Sequence, residues 1–115
     1  MIKNITKNTI IAEKELTARS FFRRATGLIF KKFDKNMDAM IFEKCSSLHT
    51  CFIFFKFDIF FVDKSKKVIT LYKDASPWRI FSAKCSFSDC IAIECPAGTI
   101  QKSRSAVGDV LEWKQ

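Results

Sequence analysis

Residues 51–72 read CFIFFKFDIFFVDKSKKVITLY, and the alternation of their apolar positions decides the fold. From Cys51 onward the odd positions are Cys51, Ile53, Phe55, Phe57, Ile59 and Phe61, all apolar, whereas the even positions mix Phe52, Phe54 and Phe60 with Lys56 and Asp58. Side chains along a strand point alternately to opposite faces, so the odd set is expected in a core and the even face is expected to be mixed. A helix would scatter the same residues around its circumference. The apolar run from Cys51 to Val62 covers twelve residues and is interrupted by Lys56 and Asp58. A membrane helix needs about 20 apolar residues, so this run does not span a bilayer.

Working outward, Asp63–Lys67 (DKSKK) has turn composition and Val68–Tyr72 (VITLY) is strongly strand-prone, which makes residues 58–72 an expected antiparallel hairpin. Ile91, Ile93 and Cys95 alternate with Cys90, Ala92 and Glu94 in another half-buried strand, which PAG at 96–98 ends. Shorter strands are expected at Ile5–Ala12, Ala39–Glu43 and Val110–Trp113, the last following Gly108-Asp109. A single change of period interrupts them. Phe21, Ala25 and Leu28 are spaced for one face of a short helix over about 18–26, with Thr17 as N-cap and Gly27 as terminator. Strands and helices do not alternate, so the expected architecture is a small, mainly antiparallel β-sandwich or squashed barrel with one short N-terminal helix. At 115 residues the chain is the size of one domain, taken as 1–115.

The start, MIKNITKNTIIAEKELTARS, has no apolar stretch resembling a secretory signal core, so the expected location is cytoplasmic. Five cysteines (Cys45, Cys51, Cys85, Cys90 and Cys95) form no CxxC pair, which favours reduced thiols over a zinc site; no metal or cofactor is expected. Twenty Lys and Arg against twelve acids give a net charge of +8, a field that attracts nucleic acid or acidic partners. The basic residues are nevertheless spread along the chain, which favours a solvated surface over a nucleic-acid groove.

Several landmarks fall in a fixed order: Arg24-x-x-Gly27-Leu28, MIF at 40–42, CSSLHTCF at 45–52, FDIFFVD at 57–63, PWR at 77–79, IECPAGT at 93–99 and GD at 108–109. From about Ala18 to Leu111 the chain thereby resembles the family called domain of unknown function 192, or uncharacterised protein family 0127. The resemblance implies a compact, mainly β domain of two-sheet character and carries no established reaction. Phe54 and Lys56 stand where relatives often have arginine and proline.

Asp58 breaks an apolar run, and a buried carboxylate needs a partner. Two readings are open for it. It is either a structural group, ion-paired or binding backbone N–H groups at a strand irregularity, or one of a polar pocket formed by Arg24, His49, Asp58, Arg79 and Glu94. The leading functional expectation is a non-enzymatic binding or accessory module, with a small molecule or a protein as ligand and the oligomeric state open. One alternative is a hydrolase or transferase using His49 with Asp58 or Cys45; another is weak nucleic-acid binding through the basic surface. No nucleotide loop, zinc-protease helix or serine-hydrolase elbow is present in the sequence.

Overall fold

A computed structural model of the protein describes residues 1–18, 33–50 and 55–114, with only the backbone of His49 and Phe87. The expected helix over 18–26 falls almost wholly outside these residues, as do positions 51–54 of the Phe-rich run. In chain order the strands are β1 (Ile2–Asn4), β2 (Thr9–Ala12), β3 (Glu15–Thr17), β4 (Ala39–Phe42), β5 (Ser47–His49), β6 (Phe57–Asp63), β7 (Val68–Ala75), β8 (Ile80–Ser82), β9 (Cys90–Pro96) and β10 (Leu111–Glu112). A short helix, α1 (Thr99–Ser103), follows β9. The architecture is mainly β, as expected, and its sheets do not close into a barrel among the described residues.

The central sheet has the order β3-β4-β9-β6-β7. It is antiparallel except where β3 runs parallel to β4. The anticipated hairpin is β6–β7, with Phe60 opposite Leu71 and Val62 opposite Val68. Its turn is closed by the Asp63 carboxylate, which accepts the N–H groups of Ser65 and Lys67 at 2.9 and 3.0 Å. Asp63 thus acts as the local backbone acceptor that favours Asp in turns.

In β6 every residue from Phe57 to Val62 is buried. Phe57, Ile59 and Phe61 enter one core with Met40, Phe42, Leu48 and Ala92. Phe60 and Val62 enter a second core with Ile2, Ile11, Ile93, Ile100 and Trp113. The even face is mixed in chemistry, with the Asp58 carboxylate beside Phe60 and Val62, but it is buried like the odd face because the sheet is covered on both sides. The cover on the Phe60 side is a three-stranded sheet, β10-β1-β2, together with α1; on the Phe61 side it includes the two-stranded sheet β5-β8. Each buried Phe contributes about 1.5–3 kcal/mol of apolar transfer, so the hydrophobic drive of this fold is concentrated in β6.

The stretch Ile5–Ala12, expected as one strand, is a turn followed by β2. Asn4 Oδ1 accepts the Lys7 N–H at 2.9 Å and Asn8 adopts φ 56°, so the chain reverses between β1 and β2. The remaining side of Asn4 holds the two ends of the chain together. Its Nδ2 donates to Ser105 Oγ at 3.0 Å and to Asp109 Oδ2 at 2.9 Å, and Lys7 Nζ also reaches Asp109 Oδ2 at 2.9 Å. Burial alone would raise the Asp109 pKa, but the hydrogen bonds from Asn4, Lys7 and the Ala106 N–H, with the Lys7 charge, bring it below its ordinary 3.8. The stability Asp109 supplies is therefore complete above about pH 3.8 and is lost as pH falls through its lower folded value. Substituting Asp109→Ala should cost about 2 kcal/mol at neutral pH, read from the urea midpoint, because the Ala106 N–H and the Lys7 ammonium lose their acceptor. A variant as stable as the parent would contradict this role.

Candidate functional site

Asp58 lies in β6 at a break in its pairing with β7: Phe57 faces Ala75, yet Ile59 faces Tyr72. β7 thus carries an extra residue there, and Asp74 takes the left-handed φ of 52°. The Asp58 carboxylate, fully buried, fits this bulge. Oδ1 accepts the Asp74 N–H at 3.0 Å and Oδ2 accepts the Ile100 N–H at 2.8 Å, in the first turn of α1. One side chain therefore fixes a strand irregularity and the start of a helix, which matches the structural reading of Asp58.

Glu94 has a different environment. It sits in β9 opposite Met40 of β4 and Ile59 of β6, so it emerges on the apolar Phe57–Phe61 face. It is 4% exposed, and its Oε2 accepts no hydrogen bond from the described residues. Burial pushes its carboxyl up from 4.5 to about 8. A buried acid of this kind is kept neutral by desolvation and can donate a hydrogen bond or take up positive charge only when something reaches it.

The central sheet therefore separates two members of the expected pocket. Ile59 and Glu94 are cross-strand partners on one face, and Asp58, beside Ile59, projects to the other, where Ile100 packs. Asp58 and Glu94 cannot line one cavity. β5 and β8 lie on the Glu94 side, since Leu48 and Phe81 pack into the same core as Ile59. They place His49 opposite Ile80 in register, next to Arg79, whose side chain is exposed. Arg24 lies outside the described residues. Cys45 is buried in the same core, with its Sγ donating to Ser47 O at 3.1 Å.

Thr50 is the residue that sequence reasoning missed. Fully buried, it donates from Oγ1 to Ser76 O at 2.8 Å and accepts the Arg79 N–H at 2.7 Å, while its backbone pairs with Arg79 O and the Trp78 N–H. These bonds lock the Pro77-Trp78-Arg79 loop against the end of β5. The available signal was the Thr itself, beside the chain's only histidine at a strand end. A separate open groove of about 660 Å³ runs between β2 and the Pro96–Thr99 turn, with Glu13, Asp38 and Lys102 at its rim. Asp38 is already occupied there, accepting the N–H groups of Glu13 and Lys14 at 2.8 Å each. Among the described residues no cluster of three or more His, Cys, Asp or Glu side chains is arranged to hold a metal. No helix among them is long and apolar enough to cross a membrane.

A doubly covered central sheet, a bulge-binding aspartate and a buried glutamate with one carboxyl oxygen unbonded among the described residues define a small β domain. The protein of unknown function from Novosphingobium aromaticivorans, solved by crystallography, shares this fold with a TM-score of 0.72 at 22% identity, over 86% of this chain and 74% of that one. At the sequence level, residues 2–113 match the profile of DUF192, described as "Uncharacterized ACR", and the chain belongs to that family. The UPF0127 protein of Thermococcus sibiricus is 31% identical over 99% of this chain and 75% of its own length. That of Pyrococcus horikoshii is 30% identical over 98% of both.

Proposed function

We propose that the chain is a non-enzymatic binding module, working in the cytoplasm, that takes its ligand on the Glu94 face of the central sheet. The observation that carries this reading is Glu94 Oε2, buried beside its cross-strand neighbours Met40 and Ile59 and without a hydrogen bond among the described residues. A buried polar atom without a hydrogen bond costs about 1–3 kcal/mol, a cost that a bound donor would remove. The matching ligand is a small molecule presenting an N–H donor, an amide or an amine, on an otherwise apolar body. Arg79 is assigned to the edge of this site and Asp58 to the scaffold behind it; Arg24 and the His49 side chain lie outside the described residues.

An enzyme built on His49 with Asp58 or Cys45 is the weaker reading, because both Asp58 oxygens already accept backbone N–H groups and Cys45 already has an acceptor. Nucleic-acid binding is weaker too, since Lys7 and Lys66 are committed to Asp109 and to the Trp113 carbonyl. A thermal-shift screen of small amides and amines tests the proposal. A hit should raise Tm in the parent protein and lose at least tenfold in affinity in Glu94→Gln, about 1.4 kcal/mol. Hits that bind the variant as tightly as the parent would place the ligand elsewhere.

A further inference from the structure

Where the chain enters β8, three consecutive residues, Trp78, Arg79 and Ile80, face solvent. Trp78 is 55% exposed and Ile80 65%, so two large apolar side chains flank a guanidinium in sequence. Their exposure is built in. Trp78 holds φ 62°, a left-handed conformation that is costly for a bulky residue, and it is the one aromatic residue with positive φ among the described residues. Thr50, fully buried, keeps the backbone there: its N–H donates to Arg79 O at 2.8 Å, its carbonyl accepts the Trp78 N–H at 3.0 Å and its hydroxyl accepts the Arg79 N–H at 2.7 Å. On the inner side Phe81 packs edge-on against Tyr72, with ring centroids 5.0 Å apart, which fixes β8 on the sheet and turns the neighbouring Ile80 outward. An exposed apolar pair held at a strained backbone marks an interaction surface.

The surrounding charge indicates the partner. From Lys73 to Lys84 the exposed ionisable groups are Lys73, Asp74, Arg79 and Lys84, three cations against one acid, on a chain of net charge +8. Lys73, Arg79 and Lys84 form no ion pair among the described residues. Tryptophan favours the boundary between water and acyl chains, and cations beside it meet lipid phosphates. A base-stacking site would use the indole and the guanidinium but would leave the isoleucine in water. We infer that the Trp78–Ile80 segment is a peripheral docking point for an anionic lipid surface. The indole and the Ile80 side chain enter the headgroup boundary, while Arg79, Lys73 and Lys84 meet phosphates. The dispersed basic residues, which form no groove, suit a flat anionic surface of this kind.

Vesicles of equal parts phosphatidylglycerol and phosphatidylcholine should carry the chain down on sedimentation at low salt, and vesicles of phosphatidylcholine alone should not. Neither lipid has an N–H donor, so the result is independent of the Glu94 reading above. The two tryptophans supply a second readout: Trp113 is 4% exposed, so a shift of emission to shorter wavelength on binding reports Trp78 leaving water. Raising the salt from about 0.1 M to about 0.5 M should weaken association about tenfold. Trp78→Gly, at a left-handed φ that glycine accepts freely, and Ile80→Ser, on the solvent side of β8, should each keep the parent's circular dichroism and lose about tenfold in affinity. Failure to sediment with the anionic vesicles, equal sedimentation with phosphatidylcholine alone, folded variants that bind as the parent does, or binding without an emission shift would each overturn the inference. So would an emission shift produced by oligodeoxythymidylate instead of vesicles, or by concentrating the chain without lipid, since these give the segment to a nucleic acid or to a second copy.

Discussion

Replacing Asp58 with alanine should lower the unfolding free energy by about 4 kcal/mol, a large share of what a domain of this size possesses. The loss follows from what remains behind. The N–H groups of Asp74 and Ile100 both point at the carboxylate, one at a bulge in β7 and the other at the start of α1. The Ile100 N–H is buried and has no water to turn to when the side chain is removed, at a cost of about 1–3 kcal/mol, and the part-buried Asp74 N–H loses its acceptor as well. Asp58→Asn keeps one acceptor oxygen and should recover about half of the deficit. Urea unfolding of the three proteins measures this. An alanine variant within about 1 kcal/mol of the parent would mean that the two N–H groups find other partners.

Stability should also fall as pH rises, by about 3 kcal/mol between about pH 5 and pH 8, through Glu94 alone. Its carboxyl is raised in the folded protein from 4.5 to about 8, so between those values the native state holds a proton that the unfolded chain has released. Stability from this group is full below about 4.5, declines through the window, and levels off once the folded carboxyl ionises near 8. Glu94→Gln keeps the size and removes the titration. The difference between the parent's and the variant's urea midpoints, plotted against pH, isolates the effect from every other ionisable group. Parallel curves would mean that Glu94 is ionised or solvated in the folded protein. A ligand that donates to Glu94 should flatten the parent's slope toward that of the variant.

The sequence was most legible where one local cause sufficed. DKSKK closed a hairpin because Asp63 can accept the N–H groups of its own turn, and the strands at Ala39 and Cys90 carried the right apolar period for their length. Long-range cover was not legible. Lys56 and Asp58 make the even face of the Phe-rich run mixed but gave no sign of its cover: Lys56 precedes β6, and Asp58 is buried on backbone donors supplied from residues 74 and 100. No window along the chain contains those donors. The same limit applied to the site. Asp58 and Glu94 both looked like pocket acids, and only the β6–β9 register, which pairs Glu94 with Ile59, places them on opposite faces. The short α1 went unread because Pro96-Ala97-Gly98 ends a strand as plainly as it begins a helix.

β1 pairs with β10, Lys3 opposite Glu112, and Asn4 is bonded to Ser105 and Asp109. β1 has β2 beside it from the start, but its other neighbour, β10, lies more than a hundred residues away and joins only when that distance closes. Until then Ile2 and Ile11 lack Leu111 and Trp113, their neighbours in the core on the Phe60 side of the sheet. Loop closure over more than a hundred residues is slow. Docking of β10 on β1 is therefore the long-range closure that seals that core.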